Sequence, residues 1–415
     1  MPTAIPRWVI VLAGFCAPFA DASTRPEQTT APLVISTITK NVRVRKARST
    51  LSSIVGRIEP GQTILCRDCP HRHTPTMPQP ESDETCDSHR WYSVVLRDGT
   101  AGFACSQYLR SVADSEIFFD VRFPNDGSRG SAVVSVKHSA QSNWTTLVVI
   151  DAGGTADSLH NYLRRNHLSG VIGLSVITNP RNDHWAGFPR ILKNQGTRFL
   201  LAPAKWPSCQ TRFVEFAAGL RGVRIFGPDC RWDFLAEYRR GSFTYLPSAP
   251  EVGVKLLSGG EASSSRRCSD QFDAASLVIQ LRIRRHTFLF ASDIRGRLTG
   301  HNARFAPIAQ ERKLLMAAKV RRALRSDVLL VPHHGDDVAS TVAFVKSVHP
   351  KYAIICAERS SKREEVGRLY LSKVHATVLN SFDSPISENR DIRCFPNEDD
   401  VMACEPGPPE SQRVR

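Results

Sequence analysis

Short apolar runs of strand length, closely spaced and broken by turn residues, fill the first hundred or so positions after a polar start. The runs are Leu33 to Thr39, Asn41 to Arg45, Ile54 to Ile58, Thr63 to Cys66, Trp91 to Leu96 and Gly102 to Cys105. Glu59-Pro60-Gly61 and Asp98-Gly99 supply the turn chemistry between them. The pattern predicts a small all-β barrel over residues 36–111, preceded by a polar, Pro-containing linker at 23–35. From about residue 115 the period changes. Ala132 to Lys137, Thr146 to Ile150 and Val171 to Thr178 read as buried strands, and Ala156 to Arg165 as an amphipathic helix between two of them. Further strands are expected at Phe199 to Leu201, Val223 to Phe226, Leu277 to Ile283, Phe288 to Ala291, Val328 to Val331, Tyr352 to Cys356 and Ala376 to Leu379. Helices are expected at Ile308 to Arg325, Ser340 to Val348 and Lys362 to Leu371. Alternating strands and helices predict an α/β domain over 115–405, with a loose tail at 406–415.

The first residues change the picture by adding an address. Arg7 is a positive flank, Trp8 to Phe19 is mostly apolar, and Ala20-Asp21-Ala22 is a small-x-small cleavage site, so residues 1–22 read as an export signal. No later segment is apolar and long enough to span a bilayer, so no transmembrane segment is expected after cleavage, and the protein is expected in a periplasm or outside the cell. Of 11 cysteines, Cys16 leaves with the signal. Cys66, Cys69, Cys86 and Cys105 then fall in the first part, and Cys209, Cys230, Cys268, Cys356, Cys394 and Cys404 in the remainder. Even counts in an exported chain predict disulfides within each part, with Cys209–Cys230 and Cys394–Cys404 suggested by proximity alone. Cys69, His71, His73 and Cys86 also fit a zinc knuckle, a reading that disulfides outweigh in this compartment. The formal net charge of +15 favours polyanions, but the basic residues are scattered, which describes a generally cationic protein better than a dedicated groove.

Candidate chemistry sits where apolar runs end. Ile150-Asp151-Ala152-Gly153-Gly154, Thr178-Asn179-Pro180-Arg181-Asn182-Asp183-His184-Trp185-Ala186-Gly187, Ala291-Ser292-Asp293 and Val331-Pro332-His333-His334-Gly335 each close a strand-like segment. A divalent cation needs neutral imidazoles and carboxylates converging from separate loops, with one position left open for water. Asp183, His184, Asp293 and one or both of His333 and His334 fit as metal ligands, with Asp151 and Asn179 orienting them by hydrogen bonds. His160, His167, His286, His301, His349 and His375 have no companions at ligand spacing and read as packing or surface residues.

In order, these segments resemble the metallo-β-lactamase superfamily over about residues 115–400, most closely the hydrolase domain of ComEC-type DNA-uptake proteins. Ser276-Leu277-Val278 and Leu330-Val331-Pro332-His333-His334-Gly335 fit that branch. The earlier strands, with Asn41-Val42-Arg43, Val55-Gly56-Arg57-Ile58, Pro60-Gly61, Trp91-Tyr92-Ser93-Val94 and Asp98-Gly99-Thr100-Ala101-Gly102-Phe103, resemble bacterial SH3-type domains. The resemblance implies an αββα four-layer sandwich preceded by an SH3-type barrel. It also implies metal-dependent hydrolysis, with nucleic acid or another phosphodiester as substrate and cell-wall material or a peptide at the barrel.

The departures narrow this. Asn179 stands where the family has its first His, Arg181 where it has the next Asp or His, and Ser292 and Asp336 replace a Gly and a Ser. Arginine is no metal ligand, so at most one divalent metal, with zinc expected, can remain. Catalysis would fall to Asp183, with Arg181 steadying a phosphate. The competing reading is a metal-free pseudoenzyme that binds envelope material or a polyanion, its carboxylates neutralised by Arg181 instead of a cation. A bridge from Arg181 to Asp183 or Asp293 is the mark of the binding protein. An outward Arg181, with the donors converging on a common centre, is the mark of the enzyme.

Overall fold

Three sheets organise the residues that a computed structural model of the chain describes, which are 33–37, 42–59, 62–67, 69, 91–111, 117–124, 130–137, 144–153, 158–168, 170–203, 212, 216, 224–226, 243–246, 249–259, 268–296, 309–316, 324–335, 340–356, 371–372, 374–380, 391–397 and 399–406. Residues 1–22, where an export signal is expected, His71, His73, Cys86, Cys209, Cys230, Gly154, Asp336, most of the expected helix at 362–371 and the residues after 406, expected as a loose tail, lie outside them. Among the described residues no helix is long and apolar enough to cross a membrane.

The first sheet contains β1 (Leu33–Thr37), β2 (Val42–Arg45), β3 (Ile54–Ile58), β4 (Thr63–Cys66), β5 (Trp91–Val95), β6 (Ala101–Cys105) and β7 (Leu109–Ser111), in the order β3-β2-β6-β5-β4-β1-β7. All its pairings are antiparallel. The second is built on β8 (Phe118–Phe123), β9 (Ala132–Lys137), β10 (Thr145–Ile150), β11 (Ile172–Val176), β12 (Thr197–Leu201) and β13 (Arg224–Phe226), parallel from β10 to β13. The third runs β14 (Thr244–Leu246), β15 (Ala249–Ser258), β16 (Val278–Ile283), β17 (His286–Phe290), β18 (Val328–Leu330), β19 (Tyr352–Ile355) and β20 (Thr377–Asn380), parallel from β17 onward. The last strands, β21 (Ile392–Pro396) and β22 (Met402–Pro406), return to the second sheet beside β8.

Parallel neighbours need crossovers, and helices fill them. The second sheet carries α1 (Ser158–Arg165), α2 (Asn182–Trp185) and α3 (Phe188–Asn194); α4 (Cys268–Ala274) leads into β16; α5 (Ala309–Met316) and α6 (Val342–Val348) serve the third. Leu159, Tyr162 and Leu163 recur at helical spacing on α1 and bury with Phe188 and Ile191 of α3 against Val133, Val149 and Leu200. Leu314, Phe344, Val345 and Val348 of α5 and α6 pack on Leu289, Leu329 and Ala353 of the third sheet. Between the two mixed sheets, Phe119, Val134, Ile150 and Leu174 share one core with Val252, Leu281, Phe290 and Leu330. Each of these large side chains contributes about 1.5–3 kcal/mol through burial.

The antiparallel sheet meets the rest at β15. Glu251, 3% exposed, accepts a hydrogen bond from Arg97 Nη2 at 2.8 Å and another from the Thr63 hydroxyl. A buried carboxylate is tolerated there because the guanidinium compensates its lost hydration.

Expected and observed elements diverge most at β15, a ten-residue strand absent from the sequence reading. Its inward residues Val252, Val254 and Leu256 alternate correctly, but Pro250, Glu251, Gly253 and Lys255 interrupt the apolar signal. Each of three interruptions has a local use. Glu251 holds Arg97, Gly253 leaves room for the Tyr245 ring, whose Cζ would lie 2.9 Å from an added Cβ, and Lys255 lies over the Phe243 ring. Strands β8, β14, β21 and β22 and helices α3 and α4 also exceed the sequence expectation, and the helix expected to begin at Ile308 is described from Ala309 to Met316.

Disulfides join Cys66 to Cys69 and Cys394 to Cys404, the second across the paired strands β21 and β22. Cys105 is also disulfide-bonded. Cys356, by contrast, carries a buried thiol, a departure from the expectation that the ten mature cysteines all pair.

Candidate metal centre

The polar cluster forms where β10, β11, β17 and β18 end, the carboxyl ends of parallel strands, where loops gather over a rigid base. Asp151 follows β10, with its amide bonded to Val176 O at 2.8 Å. Its Oδ1 accepts from Thr178 N at 2.7 Å, and its Oδ2 accepts from the Thr178 hydroxyl at 2.6 Å and lies 2.8 Å from His184 Nδ1. A carboxylate so placed keeps the proton on Nδ1 and turns the Nε2 lone pair the other way. His184 lies on α2, which is docked by backbone bonds from Ala152 N to His184 O and from Gly187 N to Ala152 O, both 2.6 Å. Gly153 makes that approach possible, because a Cβ there would collide with the Asp183 carbonyl.

The other wall comes from the third sheet. Ser292 and Asp293 follow β17, and His333 N donates to Ser292 O at 2.9 Å, which ties the loop after β18 to it. Asp151, Ser292, His333 and His334 all have φ between 50° and 57°. Left-handed backbone costs a non-glycine residue about 1–2 kcal/mol, so four such residues around one cluster mark side chains held in place against local preference.

Two groups of ligand-type side chains result. Donor atoms of Asp183, His184 and His334 lie within 4.8 Å of one another, and so do those of Asp273, Asp293 and His333. His334 Nε2 is 3.8 Å from Asp183 Oδ2, and His184 Nε2 is 3.2 Å from Asp293 Oδ2 without forming a hydrogen bond. The buried Nε2 atoms of His184 and His334 and the Oδ1 of Asp293 have no hydrogen-bond partner among the described residues. Buried polar atoms left unpaired cost about 1–3 kcal/mol each, so their convergence points to a missing partner.

Arg181 lies across this cluster. Its Nη1 donates to Asp293 Oδ2 at 3.0 Å, and its Nη2 is 3.2 Å from Asp183 Oδ2. Arg295 pairs with Asp273. Asp151, Asp183, Asp273 and Asp293 thus face two guanidiniums, which leaves two negative charges while the imidazoles are neutral, enough for one divalent cation and not for two.

The protonation behaviour is set by the same geometry. Without a cation, burial opposes charge on His184, but Asp293 and Asp151 outweigh it and hold the imidazole well above its ordinary pKa, so a cation binding at Nε2 would displace the proton held there. Burial likewise opposes charge on Asp293, and His184 beside it holds the carboxyl well below the usual range. Asp183 is pushed up by burial and by Asp293, yet His334, His184 and Arg181 bring it down to about 2.

The structure brings together Asp151, Arg181, Asp183, His184, Asp293, His333 and His334. It divides the ligands expected around one centre, placing His334 with Asp183 and His184 and placing His333 with Asp293. Asn179 is fully used in holding the loop: its Nδ2 donates to Ser276 Oγ at 2.8 Å and Phe272 O at 3.1 Å, and its Oδ1 accepts from Arg181 N at 2.8 Å. It orients Arg181 and touches no candidate ligand by these bonds. Asp273, on α4, escaped the sequence reading because it belongs to no strand-end segment.

No protein-family model and no curated protein matches the chain. Solved structures similar to it include a putative metal-dependent hydrolase from Parabacteroides distasonis, with 11% identity, 70% of this chain and 98% of that one covered, and a TM-score of 0.36. The metallo-beta-lactamase fold protein YhfI from Bacillus subtilis has 10% identity, 64% and 95% coverage and a TM-score of 0.35. Zinc-bound PqqB from Methylobacterium extorquens has 12% identity, 60% and 85% coverage and a TM-score of 0.36. Likenesses this slight carry no weight for the activity, which rests on the side chains of the cluster.

Proposed function

We infer that the chain is an exported hydrolase of the metallo-β-lactamase type that uses one divalent cation, with zinc the expected metal and phosphodiesters the expected substrates. The observation that carries this reading is His184, which is grouped with Asp183 and His334 at ligand distances, has its Nδ1 fixed by Asp151, and has a buried Nε2 that lies 3.2 Å from Asp293 Oδ2 without a hydrogen bond. Two imidazoles and a carboxylate are the donor set of a catalytic zinc site with a position left open. Two mixed sheets sharing a core, with helices on their outer faces, support the four-layer sandwich. The antiparallel first sheet supports the SH3-type reading, and the disulfides support export.

In this reading Asp183, His184 and His334 would hold the cation, which supplies Lewis acidity and lowers the pKa of water. Thr178 and Asp151 fix the His184 ring. Arg181 offsets the charge of Asp183 and Asp293 where a second cation would otherwise be required, and its one-third exposed side chain can present N–H groups to a substrate phosphate.

A specific observation favours the second reading, a metal-free binding protein: Arg181 bridges both Asp183 and Asp293, the arrangement expected if the guanidinium stands in for the metal. Hydrolysis of bis(4-nitrophenyl) phosphate by the mature protein with added zinc or manganese separates the two. Turnover abolished by His184→Ala supports the hydrolase. No turnover with either cation supports the binding protein.

A further inference from the structure

Away from the metal centre, the outward face of β15 and β16 carries two cations on one aromatic ring. Lys255 Nζ lies 5.6 Å, and Arg282 Cζ 4.2 Å, from the centroid of Phe243. The strands are paired so that Gly253 faces Arg282 and Lys255 faces Gln280, while Val252, Val254 and Leu281 point into the core between the sheets. Arg282 is fixed by Tyr245, whose hydroxyl accepts from Nε at 3.1 Å and from Nη2 at 2.9 Å. Gly253, with no Cβ, admits that ring.

Neither cation has a carboxylate among the described residues. Elsewhere in the chain arginines of low exposure do: Arg97 lies on Glu251, Arg122 on Asp120 and Arg295 on Asp273. Lys255 is 7% exposed, and its ammonium makes no hydrogen bond within the described residues. Burial, and then the neighbouring charge of Arg282, lower its pKa from the ordinary lysine value. Two like charges held together over a shared ring, one of them nearly buried, repel each other. Stacking on Phe243 offsets only part of that, since a cation over a ring contributes about 0.5–2 kcal/mol. An anion between them would remove the repulsion and supply the acceptor that Lys255 lacks.

We propose that Lys255 and Arg282, arranged over Phe243 and Tyr245, form a binding site for a phosphate group. The Arg282 Nη1 edge, which Tyr245 does not occupy, and the Lys255 ammonium are its donors, and the aromatic rings offer a face for a base if the phosphate belongs to a nucleotide chain. The same face of β15 carries Glu251, the anchor of the N-terminal sheet, so a bound ligand would lie close to the seam between the two parts.

The test measures binding of inorganic phosphate by calorimetry, and of a short single-stranded oligonucleotide by fluorescence anisotropy, to the mature protein in EDTA so that the cation site takes no part. Lys255→Gln and Arg282→Gln should each weaken phosphate binding by about tenfold, while Lys255→Arg should retain it. Weakening of both ligands assigns the site to nucleic acid, and weakening of phosphate alone assigns it to a small phosphorylated compound. Phosphate binding unchanged in Lys255→Gln and in Arg282→Gln, with both variants folded by circular dichroism, overturns the proposal, as does absence of phosphate binding by the parent.

Discussion

Replacing Arg181 by alanine removes the guanidinium that Asp183 and Asp293 share. At 3.2 and 3.0 Å each ion pair amounts to about 5 kcal/mol in an effective dielectric of about 20. Water reaches a guanidinium side chain that is 33% exposed, and pairing strips hydration from it, so most of that gross attraction is offset. The larger effect is on Asp293, whose side chain is 1% exposed and would keep its charge with less compensation. The net loss is expected to be about 2 kcal/mol, below the 3–5 kcal/mol found for fully buried pairs because one partner here is wet. The same change raises the uncompensated charge of the cluster by one unit, so zinc should bind Arg181→Ala more tightly and restore part of the lost stability. Urea unfolding in EDTA and again with zinc measures both effects. A variant as stable as the parent in EDTA, and no more responsive to zinc, would refute the idea that Arg181 neutralises these carboxylates.

Two further outcomes are expected from the same geometry. Gly153→Ala should destabilise the protein by about 3 kcal/mol in thermal or urea unfolding, and should displace α2, because the added Cβ collides with the Asp183 carbonyl; a fully stable variant would mean that the approach of the two loops is looser than described. Asp183, held at about 2, stabilises the metal-free fold above the ordinary carboxylate pKa near 4, and that contribution is lost as pH falls through 2. With a quarter of the side chain exposed, the effect is at most about 2 kcal/mol, so stability in EDTA should fall more steeply between pH 4 and pH 2 for the parent than for Asp183→Asn, and equal slopes would contradict it.

The strand-end residues were legible in the sequence because a rigid β-strand fixes the position of the side chains just beyond its end. Asp151, Asp183, His184, Asp293, His333 and His334 each close an apolar run, and all of them gather at one edge. Which imidazole joins which carboxylate was not legible, since it depends on the left-handed turn at His333 and His334, a backbone state that two adjacent histidines do not announce. Asp273 was invisible for a different reason: it reaches the cluster from a helix whose sequence neighbours carry no ligand spacing. Arg181 was recognised as the decisive residue, but its direction is a tertiary fact, set by Asn179 holding its backbone amide and by Asp293 arriving from another sheet. Strand β15 was missed because its outward residues, Glu251, Gly253 and Lys255, look like loop composition until their partners are placed opposite them.

The most direct test of the account is the zinc stoichiometry of the purified mature protein after reconstitution and removal of free metal, measured by elemental analysis beside an Asp183→Ala, His184→Ala variant. About one zinc ion per chain, lost in the variant, is the predicted result. No retained zinc, or two ions per chain, would contradict a single-cation site balanced by Arg181.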